Sequence, residues 1–433
     1  MSTRKQLPAM PGYEVVVVGG GVAGVAAALG AARMGKKVLL VERTCALGGL
    51  ATVGLVNLFV PMCNGRGIPI MRGMVEEFLR DAAAYGFDSL NYEWQKGYPD
   101  HPTNLRYVSW FSPGILALLM VEKLHQAGVE IIYNAVVADV VMSGSHCDGV
   151  EILCEEGMRF CPAAVVVDAS GTSVVFDRAG AETELGENYF TNYVYTVTLE
   201  RCADAVAKGN IRYASGWYHG GNASLYGANH PADMPFIHGD TSANISDYLV
   251  KGQLKLWEKL KGEDRLSRNP LTLPAMPQLR KVRRICGAYT MSDADLFCHF
   301  DDAVTAVCDS ERRDSLYEIP YRALYCKNLD NLLAAGRNIS ASGWLWDVTR
   351  VIPPAIVTGQ AAGVAAALAV EDKCAVSEVD IAALQAKLTE QKVLVHFDDA
   401  WVPANRQAGE YSPGCHSSPD RLAMLAAEQN KGK

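Results

Sequence analysis

Glycines at positions 19, 21 and 24 form the pattern G-x-G-x-x-G directly after the apolar run 13–18, and Glu42 closes the next apolar run, 37–41. That spacing can bind a nucleotide pyrophosphate. Gly19 permits a tight turn, Gly21 lets the main chain approach the phosphates, and Gly24 lets the following helix pack closely on a sheet. The unpaired N–H groups at the start of that helix, the positive end of its dipole, would hold the diphosphate. Glu42 would accept the ribose hydroxyls, and its charge disfavours a 2′-phosphate and hence NADP. The glycine pattern alone does not separate NAD from FAD.

For proton transfer the candidates are His219, His230, His238, His299 and Tyr321. His219 stands in the glycine-flanked aromatic loop Gly216-Trp217-Tyr218-His219-Gly220-Gly221, a segment able to hold a side chain in a cleft. An ordinary hydrogen-bonded loop histidine is the alternative for each of the four. The 12 cysteines, Cys45 to Cys415, include no CxxC pair, and no histidine cluster has zinc-ligand spacing. Neither a metal site nor an iron–sulfur cluster is therefore expected.

Longer stretches carry a resemblance. Arg43-Thr44-Cys45-Ala46-Leu47-Gly48-Gly49-Leu50-Ala51-Thr52 is similar to the acid–arginine pair and G-G-x-A-T turn of two-dinucleotide-fold flavoproteins. Val165-Val166-Val167-Asp168-Ala169-Ser170-Gly171 resembles an I-D-A-T-G strand end, and Arg280-Lys281-Val282-Arg283-Arg284-Ile285-Cys286-Gly287 an R-E-x-R-R-I-x-G segment. Ile319-Pro320-Tyr321-Arg322 and Leu332 to Ser340 resemble I-P-Y-R and L-L-A-G-R-x-I-S blocks, followed by Arg350-Val351-Ile352-Pro353-Pro354 and Thr358-Gly359-Gln360-Ala361-Ala362-Gly363. The family resembled is that of the FAD-dependent oxidoreductases, related distantly to fumarate reductase and heterodisulfide reductase flavoproteins.

The resemblance implies FAD as cofactor. It places Gly19, Gly21, Val22, Ala23 and Gly24 on the diphosphate, and Glu42 and Arg43 on the adenosine side. Gly48, Gly49, Ala51 and Thr52 run toward the flavin, Val137 gives a main-chain contact to adenine, and Ala169 and Gly171 flank the second strand end. Gly336, Arg337, Gln360 and Ala361 complete the cofactor set, with the helix after Pro354 facing the flavin. Arg280, Arg283, Arg284, Arg322 and Arg350 border the flavin, and Arg280, Arg322 and Arg350 join His219 as the catalytic candidates. Cys63 falls in a loop near the isoalloxazine, either redox-active or an inert buried thiol, and Trp344 and Trp346 form an apolar wall or fill core space. Two positions depart from the family: Thr172 stands where T-G-D has its acid, and Lys281 where glutamate is common.

These residues need a scaffold. The fold class expected is α/β, a Rossmann-like, glutathione-reductase-like FAD-binding domain with an inserted α+β substrate domain. Residues 1–60, 105–180 and 325–372 form the FAD domain, 61–104 and 181–324 the substrate or cap domain, and 373–433 a C-terminal helix and tail. Helices are expected at 22–34, 71–85, 114–126 and 357–369, and strands at 13–18, 37–41, 129–133, 136–142, 149–154 and 331–335. The chain has 433 residues, 49% of them hydrophobic, and a net charge of −8, which disfavours a nucleic-acid partner because no basic surface is available to release counterions. No signal-peptide pattern opens the sequence and no apolar run reaches membrane-spanning length, so a cytoplasmic protein without membrane insertion is expected. The activity expected is dehydrogenation of a small polar substrate by hydride transfer to flavin N5. Reduction of an activated C=C bond, or service as a flavin electron-transfer subunit, are the alternatives. A homo-oligomer or an electron-acceptor protein is the partner expected beyond the substrate.

Overall fold

A computed structural model of the protein describes residues 7–86 and 109–409. Cys415, the expected tail helix and the expected domain segments within 87–108 lie outside the described residues.

β1 (Tyr13–Val18) and β2 (Val38–Val41) are almost wholly buried, as both-face apolar runs require in a parallel sheet covered on both sides. β5 (Glu130–Ile132) lies beyond β2, and β8 (Gly157–Asp168) lies on the other flank of β1, followed by β16 (Leu332–Ala334). All four pairings are parallel, and Val18, Asp168 and Ala334 are in register. The carboxyl ends of these strands therefore open at one edge, where α/β folds bind ligands. β8 does double duty. Its first half pairs antiparallel with β7 (His146–Cys154), which pairs with β6 (Val136–Ser143), so the strands expected at 136–142 and 149–154 belong to a three-stranded meander joined to the sheet.

α1 (Val22–Arg33) follows β1, and α8 (Ile352–Asp372) crosses it at very short range. A Cβ on Gly359 would overlap the Ala23 carbonyl oxygen, and one on Gly363 the Ala27 carbonyl oxygen, so backbone meets backbone. α8 begins earlier than the sequence suggested. Pro353 and Pro354 lie inside its first turn, where the N–H groups that proline lacks have no helical partner anyway. α8 is long and apolar enough to cross a membrane, against expectation, yet almost all of it is buried in the protein core. α2 (Met74–Tyr85) and α3 (Pro113–Gln126) pack nearby, and α4 (Val174–Arg178) follows β8.

Two short pairs, β3 (Leu58–Phe59) with β4 (Ser109–Trp110) and β9 (Thr183–Leu185) with β13 (Arg283–Ile285), fasten the insertion to this body. The insertion carries the antiparallel sheet β11 (Ser215–Asn222), β10 (Thr191–Thr198), β12 (Arg268–Thr272), with α5 (Leu199–Lys208) and α6 (Ser242–Lys261). It has its own small core of Phe190, Ile237, Tyr248, Leu279 and Val282. The hairpin β14 (Ala303–Cys308) and β15 (Leu316–Pro320), with α7 (Gly343–Thr349) and α9 (Ile381–Glu390), completes the described residues.

Candidate active site

A cavity of about 690 Å³ begins at the sheet edge and extends to the inserted sheet. At its sheet end Gly19 has φ +100°, and a Cβ there would stand 2.7 Å from the Ala169 carbonyl oxygen. Gly21 lines the cavity, and a Cβ on it would meet nothing, so the glycine leaves open space beside the start of α1. That start has no side-chain cap and no acid in its first turn. These features fit a diphosphate: free N–H donors, a positive helix end and main chain that a ligand can approach closely. Val22, Ala23, Ala169, Gly336 and Arg337 line the same end, and Gly171 is beside them.

Glu42 is buried at the end of β2. One carboxylate oxygen accepts the Gly20 N–H at 2.6 Å, and the other accepts the Thr44 N–H and hydroxyl, both at 2.7 Å. A carboxylate has about four lone-pair sites, so about one acceptor site remains for a ribose hydroxyl. Gly48 and Gly49 take φ of +101° and +54° in a turn tied to the glycine loop by the Gly48 N–H to Gly20 carbonyl bond of 2.7 Å. Val137 lines the wall on the Glu42 side. Arg337 donates to the Gly171 carbonyl at 2.7 Å and the Leu279 carbonyl at 2.6 Å. Burial, and then the neighbouring Arg43 and Arg350, lower its pKa to about 10.

At the far end, Tyr193 on β10 faces His219 on β11 in register, with ring centroids 5.4 Å apart. Trp217, two residues along β11, packs on Tyr193 and lines the cavity with it. His219 Nδ1 is buried and makes no hydrogen bond among the described residues. Burial, then the Lys259 ammonium, lowers the His219 pKa against the Gly221 main chain and so favours the neutral ring. Arg280 also lines this end; its Nη1 is buried without a partner, and burial, then Arg350, lowers its pKa to about 10. Arg350, directly after α7, is held by Asp347 at 2.8 Å, and Lys281 pairs with the other Asp347 oxygen at 2.7 Å. Burial alone would raise the Asp347 pKa, but Arg350 and Lys281 outweigh it and hold the carboxyl low. The lysine at the family's glutamate position thus has a partner of its own.

Several sequence expectations are corrected by position. Gly24 packs against the Gly19 carbonyl and Ala169, the close-packing role its spacing predicts, and does not line the cavity as a cofactor contact. Thr52 is buried, its hydroxyl donating to the Leu47 carbonyl, so it shapes the Gly48 turn from behind. Gln360 faces away from the cavity, accepting the Met74 N–H at 3.0 Å and donating to Gln391 at 2.9 Å, and Ala361 is fully buried beside it. Arg322 is spent on Asp302, at 2.9 and 3.0 Å, over the Tyr289 ring outside the cavity. Arg283 pairs with Asp177 and Arg284 with Glu184.

His230 and His238 hydrogen-bond to nearby main chain, and the buried Tyr321 hydroxyl donates to the Val376 carbonyl. Cys63 is fully buried away from the cavity lining. Trp344 donates to Asp309 and Trp346 to the Arg337 carbonyl, and neither lines the cavity, so of the two alternatives the apolar wall does not hold. Asp168 lies beneath the strand ends, accepting from Ser170, Val175 and Asn338. Burial raises its pKa against those bonds. Sequence reasoning missed Tyr193 and Gln278 and met Trp217 only as part of the His219 loop; alternation along 191–198 was the signal available for Tyr193.

A family model described as FAD dependent oxidoreductase matches residues 14–230 and 220–388. Among solved structures, a geranylgeranyl bacteriochlorophyll reductase-like protein from Thermoplasma acidophilum is 12% identical, over 97% of this chain and 99% of that one, with a TM-score of 0.43. L-proline dehydrogenase from P. horikoshii is 14% identical over 90% and 100%, with a TM-score of 0.42. THI4 from Thermovibrio ammonificans is 21% identical over 41% and 67%, with a TM-score of 0.30. No curated protein matches the chain.

Proposed function

This chain belongs to the FAD-dependent oxidoreductases and is an enzyme whose cofactor is FAD; from that premise we propose that it dehydrogenates a small polar substrate carrying a carboxylate beside a hydroxyl- or amine-bearing carbon. The observation that carries this reading is the pair of unpartnered buried atoms, His219 Nδ1 and Arg280 Nη1, on side chains lining one end of the cavity. Unpaired buried polar atoms cost stability and point to a missing partner.

The cofactor would be held by the Gly19–Gly21 loop and the start of α1 at its diphosphate, by Glu42 at its ribose, and by Arg43 and Arg337 as counter-charges. When bound, FAD supplies a two-electron acceptor. Arg280 and Arg350 bind and orient the substrate carboxylate, with Arg350 aimed by Asp347. His219, neutral because it is buried beside Lys259, takes the proton from the hydroxyl or amine. Trp217 and Tyr193 exclude water from that end.

One observation favours a second reading, reduction of an activated C=C bond. Arg280 lines the cavity with its buried Nη1 unpartnered, and burial lowers its pKa, so it would serve as the proton donor in that reaction. Anaerobic stopped-flow mixing with 2-hydroxy, 2-amino and 2-enoic acids separates the two. Bleaching of oxidised flavin by a hydroxy or amino acid supports dehydrogenation, and reoxidation of dithionite-reduced flavin by an enoic acid, with no bleaching, overturns it. Turnover with a simple dye as acceptor argues against the electron-transfer-subunit alternative.

A further inference from the structure

Away from the cavity, His299, Glu318 and His396 bring their side chains to one point, all three ligand-capable atoms lying within 4.8 Å of one another. His299 precedes β14, Glu318 is on β15, and His396 is on the strap that leaves α9, so three separate segments meet there. His299 Nδ1 is 2.6 Å from Glu318 Oε1, and His396 Nδ1 is 3.0 Å from the same oxygen. We propose that this triad is a divalent transition-metal site, best matched to zinc, that clips the 393–397 strap to the β14–β15 hairpin.

The donor set fits. Two imidazole nitrogens and one carboxylate oxygen suit zinc, which takes four ligands with Zn–N and Zn–O near 2.0–2.2 Å. Tetrahedral ligands at that radius stand roughly 3.3 Å apart, so the two nitrogen-to-oxygen spacings of 2.6 and 3.0 Å open by well under 1 Å, while the two imidazole nitrogens, within 4.8 Å of each other, close by at most about 1.5 Å. Both histidines are solvent-exposed while Glu318 is fully buried, which leaves the outer side open to a water as fourth ligand.

The surroundings also fit. Glu318 Oε2 accepts the Phe300 N–H at 2.8 Å, which fixes the carboxylate with Oε1 turned toward both rings. His299 Nε2 lies 3.5 Å from Asp399 Oδ1, and its ring packs on Phe397 with centroids 4.3 Å apart. A histidine that ligates through one nitrogen commonly donates its other N–H to a carboxylate, the place Asp399 occupies. Metal binding needs the Nδ1 lone pair of each ring, so a ring with its one proton on Nδ1 moves it to Nε2, and a ring protonated at both nitrogens, the form that Glu318 and Asp399 favour at His299, releases one proton to solvent. Sequence spacing concealed this site, since its ligands are far apart along the chain.

The test uses the FAD-loaded protein, equilibrated with zinc and desalted, in wild-type, His299→Ala and His396→Ala forms, with flavin content as the folding check. The expected result is about one zinc per wild-type chain by elemental analysis, an absorption fine structure with nitrogen or oxygen at roughly 2.0–2.1 Å and no sulfur shell near 2.3 Å. Either histidine variant should lose affinity by roughly a hundredfold or more, and zinc should raise the wild-type Tm but not that of the variants. Glu318→Gln is secondary, because a buried change of charge can prevent folding. Zinc far below one per chain, zinc bound through sulfur, or equal zinc in all three proteins overturns the proposal.

Discussion

Replacing His219 by glutamine keeps a polar side chain in the cavity but removes the base, and general-base loss typically costs about 10²–10⁴ in rate. The expected outcome is a fall of that order in the rate of flavin reduction, with flavin content unchanged. The direction of the pH effect follows from the environment. His219 must be neutral to accept a proton, and burial, with Lys259, lowers its pKa, so the acid limb of kcat/KM lies below the ordinary histidine value near 6.5. Lys259→Met removes a like charge and should move that limb to higher pH; a limb that stays in place, or moves down, would refute the assignment. Arg280→Met should raise KM by roughly 10–100-fold, the worth of one to two charged hydrogen bonds, whereas Arg322→Met should leave KM near wild type because Asp302 already holds it. Steady-state kinetics on both variants checks the contrast. Local residues such as Gly21 and Glu42 could be read from spacing because a loop of a few residues creates their environment. Arg322 misled because its segment matched a family block, and the sequence does not show that Asp302 captures it. Asp347 escaped notice because its value lies in two partners, Lys281 and Arg350, brought together only by the fold.

Helices α1 and α8 cross backbone to backbone at Gly359 and Gly363, and α1 also presents the diphosphate loop, so packing there is linked to cofactor binding. A Cβ at Gly363 would collide with the Ala27 carbonyl, and overpacking of this kind costs about 1–3 kcal/mol. Gly363→Ala should therefore lower Tm and weaken FAD retention together. Gly114→Ala is the control: a Cβ there meets nothing, the residue is in the first turn of α3, and the change should be neutral or stabilising by up to about 1 kcal/mol. Thermal unfolding followed by flavin fluorescence measures both, and a Gly363→Ala protein as stable as wild type would show that the crossing can open. The β1–α1–β2 unit was legible because each element buries its apolar residues through its own periodicity. The span of β8 was not, since one strand serves a parallel partner with one half and an antiparallel partner with the other. The start of α8 was misplaced for a related reason: prolines read as a break are accommodated in a first turn that needs no N–H donors.

For the molecule as a whole, two electrostatic terms oppose each other when the cofactor approaches. The chain carries a net charge of −8, which repels the FAD diphosphate at a distance. The cavity, in contrast, is lined by four arginines, Arg43, Arg280, Arg337 and Arg350, against two acids, Glu42 and Glu311, and Glu42 is engaged with Gly20 and Thr44. Which term governs the encounter depends on range. The Debye length is about 10 Å at 0.1 M salt and about 30 Å at 0.01 M, so salt screens the dispersed surface charge first and the concave cluster last. Low-dielectric walls around a cleft focus its field and can raise on-rates by about 10-fold or more. FAD association to the apoprotein should therefore slow as salt rises from about 0.01 to 0.3 M, despite the like sign of protein and ligand. Arg43→Gln and Arg337→Gln should each flatten that dependence. Stopped-flow fluorescence quenching reads the rate directly. An association rate that increases with salt would mean that overall charge controls the approach and that the arginines act only after contact.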